Sequence, residues 1–373
     1  VTFVPVTTPS TVCRECALAF FCATLFFLCG FSQVSAASLE SRLSTGWEYD
    51  DNVLEDPSGR TAGGAGTLSL FSTARLNSAV SASRFDLQLG YKAHHRLSSS
   101  DSLTAGDVLV QRFSAETERR VGNSVLGAAG ELKLRSVYRK NQLNLLSEEG
   151  YVRGQGQLYL RRRAGSLGQL SVYWRQSFFN FESFKTFNYN SFGPRLRLTR
   201  RLGPRLAGAV EYGYTRRNCD RLVSRPDEDG GLEVLDYQQR DNLHQLDLTL
   251  SYGSAWLVNG TYTLQRNDSN NFGFSYWNNR FSFLLGRRLP GEAYLNAYVF
   301  FELRRYGDRT NLPILTEVIT EENDNNGAVI KLSRPLGRVF EASLTWSLYR
   351  NQSSLRDLDF HKNLLDFALT WRF

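Results

Sequence analysis

Two pairs of adjacent residues in this sequence could do hydrolytic chemistry if a fold brought them together. His94 and His95 offer imidazoles for general-base work, and Asp50 and Asp51 offer carboxylates to orient them or to activate a water. Such a pairing would form a cluster at the rim of the fold, whereas adjacent polar residues in loop-rich regions are more often solvated surface. A lipase-like alternative would need Ser and His side by side on one surface. Metal chemistry has less to draw on. His94, His95, His244 and His361 are scattered, and four of the five cysteines (Cys13, Cys16, Cys22 and Cys29) crowd into the first thirty residues. That leaves Cys219 alone, with no disulfide partner, no structural metal site and no call for a cofactor.

The more extensive signal is a set of cationic side chains at period two. Lys133 and Arg135 recur in one segment, then Arg153, Arg161 and Arg163, then Arg175, then Arg195, Arg197 and Arg201, with Arg205 just beyond. Each alternates with apolar residues, so each segment presents one charged and one apolar face if it is a strand. Glu48, Asp50, Asp247, Glu341 and Asp366 occupy the corresponding positions in other segments and are expected to form an opposing acidic wall. Two readings of these charges stay open. Either they bias passage toward anions through a focused field, or they solvate an aqueous interior and pair across strands.

The elements that would hold these residues follow from the same periodicity. The composition is rich in Phe (25), Tyr (17) and Gly (30) and poor in Pro (9), which suits strands joined by polar turns. The formal charge of +7 comes from basic residues spread over many segments, not from a patch or tail, which argues against nucleic-acid binding. "CALAFFCATLFFLCGF" followed by the small residues Ser35, Ala36 and Ala37 reads as a secretory signal peptide, with residues 1–37 removed and 38–373 forming one domain.

Strands are expected at 41–51, 65–76, 80–97, 106–120, 124–139, 150–163, 168–179, 188–201, 204–217, 240–252, 255–267, 275–288, 292–306, 327–334, 338–350 and 361–373. That gives about sixteen, with 14 or 18 open because the patterns near 110–113 and 275–280 are irregular. Tight turns such as "RRLGPRL", "RRLPGEA" and "SRPLGRV" alternate with long polar stretches such as 218–239 and 307–327. An even strand count with short turns at one end and long loops at the other predicts an all-β fold: a transmembrane, antiparallel, up-and-down β-barrel with periplasmic turns and extracellular loops. Trp47, Tyr49, Tyr212, Tyr214, Trp256, Trp346 and Trp371 fall on the apolar faces and are expected to form aromatic girdles. Long loops five and seven are the expected constriction, since loop three (140–150) is short. Tyr159, Tyr173, Tyr294 and Tyr298 are expected to face inward, to fill space or to stack on sugar rings.

On these residues the chain resembles bacterial outer-membrane porins. Its last segment, with Phe367, Leu369, Trp371 and Phe373, looks like the C-terminal signal read by the barrel assembly machinery in that superfamily. "GWEYDDNVLEDPSG", through Tyr49, Asp50 and Asn52, resembles the Tyr-Asp-x-Asn opening of the second β-barrel porin family. The resemblance implies an outer-membrane channel for small hydrophilic solutes that is not an enzyme. Its implied partners are outer-membrane lipid and lipopolysaccharide, the assembly machinery and periplasmic chaperones, with homo-oligomers open. The runner-up is a barrel serving exopolysaccharide export or a periplasmic partner.

Overall fold

The computed structural model describes residues 36–51, 62–80, 83–98, 108–137, 150–227, 232–307, 326–351 and 360–373. Within them the chain forms sixteen antiparallel strands, each paired with its sequence neighbours, and β1 pairs with β16 to close the barrel. The strands are β1 (Ala36–Asp50), β2 (Gly63–Val80), β3 (Ser83–Ser98), β4 (Val108–Val121), β5 (Ser124–Val137), β6 (Tyr151–Arg163), β7 (Gln169–Phe181) and β8 (Tyr189–Arg201). They continue as β9 (Leu206–Pro226), β10 (Leu232–Gly253), β11 (Trp256–Ser269), β12 (Tyr276–Arg288), β13 (Tyr294–Tyr306), β14 (Asn326–Leu336), β15 (Phe340–Asn351) and β16 (Phe360–Arg372). The expected leader lies outside the described residues up to residue 35, and β1 pairing starts at Ala36, opposite Asn77.

The registers fix the size of the barrel. Followed once round the wall, the pairings return to β1 about 20 residues from where they began. With strands about 4.8 Å apart and a rise of about 3.3 Å per residue, that stagger implies a tilt of about 40° and a backbone radius of about 16 Å. Side chains alone do not fill such an interior, unlike that of an eight-stranded barrel.

The segments near 110–113 and 275–280 pair without a break. The irregularity is elsewhere, between Val234, Gln238 and Arg240, where β10 shifts register against β9. These two strands also correct the sequence expectation of a long loop over 218–239. They run 21 and 22 residues, against 13 for β7, and stand as a hairpin beyond their neighbours. Long loop seven, residues 308–325, lies outside the described residues.

The turns use the chemistry expected of them. In "SRPLGRV" Gly337 sits at φ 81°, a left-handed conformation that costs glycine nothing and other residues about 1 kcal/mol or more. The closing seam is tied at both ends. Ser41 and Phe373 exchange two backbone hydrogen bonds of 3.0 Å, and the Asp51 carboxylate accepts from the Asn363 backbone N–H at 2.6 Å and its side-chain amide at 2.7 Å.

Candidate lumen and its charged wall

Alternation sorts the side chains into two populations. On β6, Leu158 and Leu160 are 48% and 45% exposed while Tyr159 between them is 4% exposed. On β7, Val172 and Trp174 stand out while Ser171 is buried. Leu, Val, Phe and Trp thus cover the outside, and polar residues take the inside, the reverse of a soluble protein. At one end of the outer surface Arg287 lies 4.2 Å over Trp256, and at the other Arg266 lies 5.3 Å over Trp277. Ten residues of β11 separate these levels, about 25 Å along the barrel axis, the height of a transmembrane apolar band. Trp47 and Tyr49 lie toward the long-loop end of β1 and Trp371 at the short-turn end of β16, while Tyr214 stands level with Trp277 through His244 and Arg266. Tyr212 and Trp346 instead fall at mid-strand, inside the band: β9 runs past its expected end, and Trp346 pairs with Leu365 and Ile330.

Apart from Arg205, the basic residues expected to share a wall lie on adjacent strands, β5 to β8, on the face opposite the exposed apolar set. The wall is not uniformly positive. Glu211, opposite Arg197 in register, takes Arg195 at 3.0 Å and Arg197 at 3.5 Å. Glu118 takes Arg161, and Glu131 lies 3.6 Å from Arg112. The Tyr159 hydroxyl shares its one proton between Glu116 and Glu118, at 2.8 and 2.7 Å, over Gly127, where any Cβ would overlap its ring. Held this way, Tyr159 fills space and has no free face for a sugar ring. Lys133 and Arg135 lie 5.0 and 5.9 Å over the Tyr151 ring. Arg163 and Arg201 end their strands exposed, and Arg205 sits in the turn before β9.

Arg175 differs from these. It forms no ion pair among the described residues, its Nη2 donates to Gln157 Oε1 at 3.3 Å, and the charges acting on it include Arg195 and Arg153, which repel it, and Glu211, which attracts it.

The acidic set is less of a wall than expected. Glu48 and Asp366 face each other in register across the β1–β16 seam, with Lys331 acting on Asp366. Asp50 is buried at the long-loop end with Lys362 Nζ 3.0 Å away, so its charge is compensated. Glu341 pairs with Arg372 at the short-turn end. Asp247 lies on β10, two strands from β8, and so sits beside the basic wall, not across from it. There it accepts from Thr263 and from Gln245.

Above the wall, sequence reasoning missed the most crowded part of the interior. Tyr151, Phe179 and Phe181 form a buried cluster with Phe184, Phe187 and Tyr189 packed against it. Arg217 lies 4.7 Å over Tyr189. Arg221 is clamped between Phe187 and Phe274, at 4.7 and 4.5 Å, and its Nε and Nη1 are buried without a hydrogen-bond partner. The clamp joins the β7–β8 connection to the β11–β12 connection through Arg221 of the expected loop-five stretch, here part of β9, so among the described residues these three segments crowd the mouth. The signal was present: Arg217, Cys219, Arg221 and Val223 continue the inward phase of Glu211, Gly213 and Thr215.

The rim cluster does not assemble. His95 pairs with Leu68, which pairs with Thr45, so two strands and five residues separate it from Asp50, about 19 Å between Cα atoms. The His94 side chain lies outside the described set. Asp50 and Asp51 are engaged by Lys362 and Asn363.

The chain matches no protein-family profile and no curated protein. Among solved structures it is similar to OccAB2 of Acinetobacter baumannii, at 10% identity over 92% of this chain and 100% of that one, with a TM-score of 0.44. It is also similar to a loop-deletion mutant of OmpT, an outer membrane protein of Vibrio cholerae, at 10% identity over 91% and 99% of the two chains, TM-score 0.46. A third likeness is to the Pseudomonas putida toluene transporter TodX, at 11% identity over 91% and 90%, TM-score 0.37.

Proposed function

We propose that this protein is an outer-membrane channel through which small hydrophilic solutes diffuse passively, with a mild preference for anions. The observation that carries the reading is the combination of a sixteen-stranded closed wall, an apolar exterior about 25 Å tall and a polar interior wider than side chains fill. In hydrocarbon every backbone donor and acceptor must pair within the protein, and the closed ladder provides this. Outside a membrane, the same exposed Leu, Phe and Trp would drive aggregation.

The anion preference rests on the interior charges. Arg175 has no ion-pair partner among the described residues, and Arg217 and Arg221 lie against aromatic rings and share the single buried carboxylate of Asp241. That leaves a surplus of positive charge, which low-dielectric walls focus on the aqueous path. Planar-bilayer recordings test both halves. Stable single-channel current is expected, with a reversal potential of anionic sign in a tenfold KCl gradient. Absence of current removes the channel, and a cationic reversal potential removes the preference.

A further inference from the structure

Beside Arg175 the inner wall is hollowed. Ala129 and Ser114 are small where their neighbours on β6 and β7 are long, and a recess of about 250 Å³ opens over them. Gln88, Glu116, Glu131, Gln155, Gln157 and Arg175 line it, from five consecutive strands, β3 to β7. Arg175 is the midpoint of β7, so the recess lies halfway along the barrel.

We infer that this recess is a binding subsite for a small hydroxylated carboxylate, a sugar acid in chemical class, with the carboxylate on Arg175 and the hydroxyls among the glutamines and glutamates. The inference rests on the open-lumen reading above and names a solute for it. Three observations choose this class. The Arg175 guanidinium is half-buried, has no carboxylate in ion-pair contact among the described residues, sits between the repulsion of Arg195 and Arg153 and the attraction of Glu211, and spends one hydrogen bond on Gln157, so a planar two-oxygen anion is its natural complement. The three glutamines each carry donors and acceptors, which suits hydroxyl groups. The two carboxylates are already engaged, Glu116 by the Tyr159 hydroxyl and Glu131 by Arg112. They keep acceptor capacity for O–H groups, and the charge of Glu131 is offset by Arg112. A site on a diffusion path must release what it holds, so affinity on the order of millimolar is expected.

The test is calorimetric titration of the full chain, folded in detergent at low salt, with sodium gluconate, sodium acetate and glucose. Gluconate is expected to bind at least tenfold more tightly than either of the others. Arg175→Gln should weaken gluconate at least tenfold and leave glucose unchanged, while Arg175→Lys, keeping the charge without the fork, should fall between. Heat-modifiable mobility in SDS gels checks that each variant is folded, and Gln155→Ala, expected to weaken gluconate more than acetate, carries the test if Arg175→Gln is not. Equal binding of gluconate and acetate, or gluconate binding indifferent to Arg175, overturns the site. Bilayer current without gluconate binding sinks the subsite and spares the channel, and gluconate binding without current does the reverse.

Discussion

Cys219 sits in a stretch, "RRNCDRLVSRPDEDGG", whose charge density suggests an exposed loop. It is instead buried, on the inward side of β9 between Arg217 and Arg221, above the apolar band. Burial is the main cause that pushes its thiol up, from 9.0 to about 12. Three units correspond to about a thousandfold less thiolate at neutral pH, before any loss of access is counted. Maleimide labelling at pH 7.5 should therefore be at least about a hundredfold slower in the folded barrel than after heating in SDS. Labelling at the rate of a free thiol would return this segment to a solvated loop. The same scale shows why the ion pairs escaped sequence reading. Arg197 and Glu211 lie equally far from Pro204, so the β8–β9 turn folds one onto the other. Reflection about that turn would have paired them, whereas reading each strand alone showed only its cations. That Arg175 forms no ion pair among the described residues depends on which carboxylates lie on β6 and β8, and no single segment reveals it.

Among the elements, strand position was widely legible because a membrane strand separates lipid-facing from water-facing residues at every step, and Gly or Pro punctuates the turns. The failure at β9–β10 has a physical origin. Beyond the apolar band, both faces of a hairpin can meet water or polar partners, so the hydrophobic alternation fades while the backbone ladder continues. What keeps this two-stranded ribbon standing is the β11–β12 connection. Asn271 accepts from Ser224 N–H and donates to Gln239, and Asn270 accepts from Arg240 N–H. The Arg221 clamp belongs to the same bracing. Replacing Arg221 with Ala should loosen the β7–β8 connection by about 1 kcal/mol, or about fivefold in its open population. Trypsin cleavage after the exposed Lys185 should quicken accordingly, and an unchanged cleavage rate would deny the clamp that role. At the seam, Phe373 is 60% exposed, and its backbone bonds to Ser41 complete the ladder. Its proposed part in assembly separates from stability by experiment. Deleting it should reduce the folded, heat-modifiable fraction in isolated outer membranes while sparing refolding into detergent. Equal insertion in cells would remove the assembly role.

For the whole molecule, the decisive inference from sequence was the closed barrel, since an even set of two-faced strands has few other ways to satisfy its backbone in lipid. The distribution of charge around the circumference was harder, because it depends on the angular place of each strand: Asp247 moved from the far wall to the near one on that account alone. The selectivity that results is electrostatic and therefore screened. Anion preference measured at 0.01 M salt, where the Debye length is about 30 Å, should shrink markedly at 1 M, where it is about 3 Å. A preference that persists at 1 M would point to a steric filter. The overhang of β9 and β10 also gives the molecule a side. They exceed β7 by eight and nine residues, so about 20 Å of ribbon rises over one sector of the mouth. A mast mounted off-centre is a lever: whatever grips its tip, such as an antibody, pulls on the two strands that hold Glu211 and Asp247 in the wall, with the asparagine brace as fulcrum. Such a grip would be transmitted into one sector of the interior while the opposite sector stayed still.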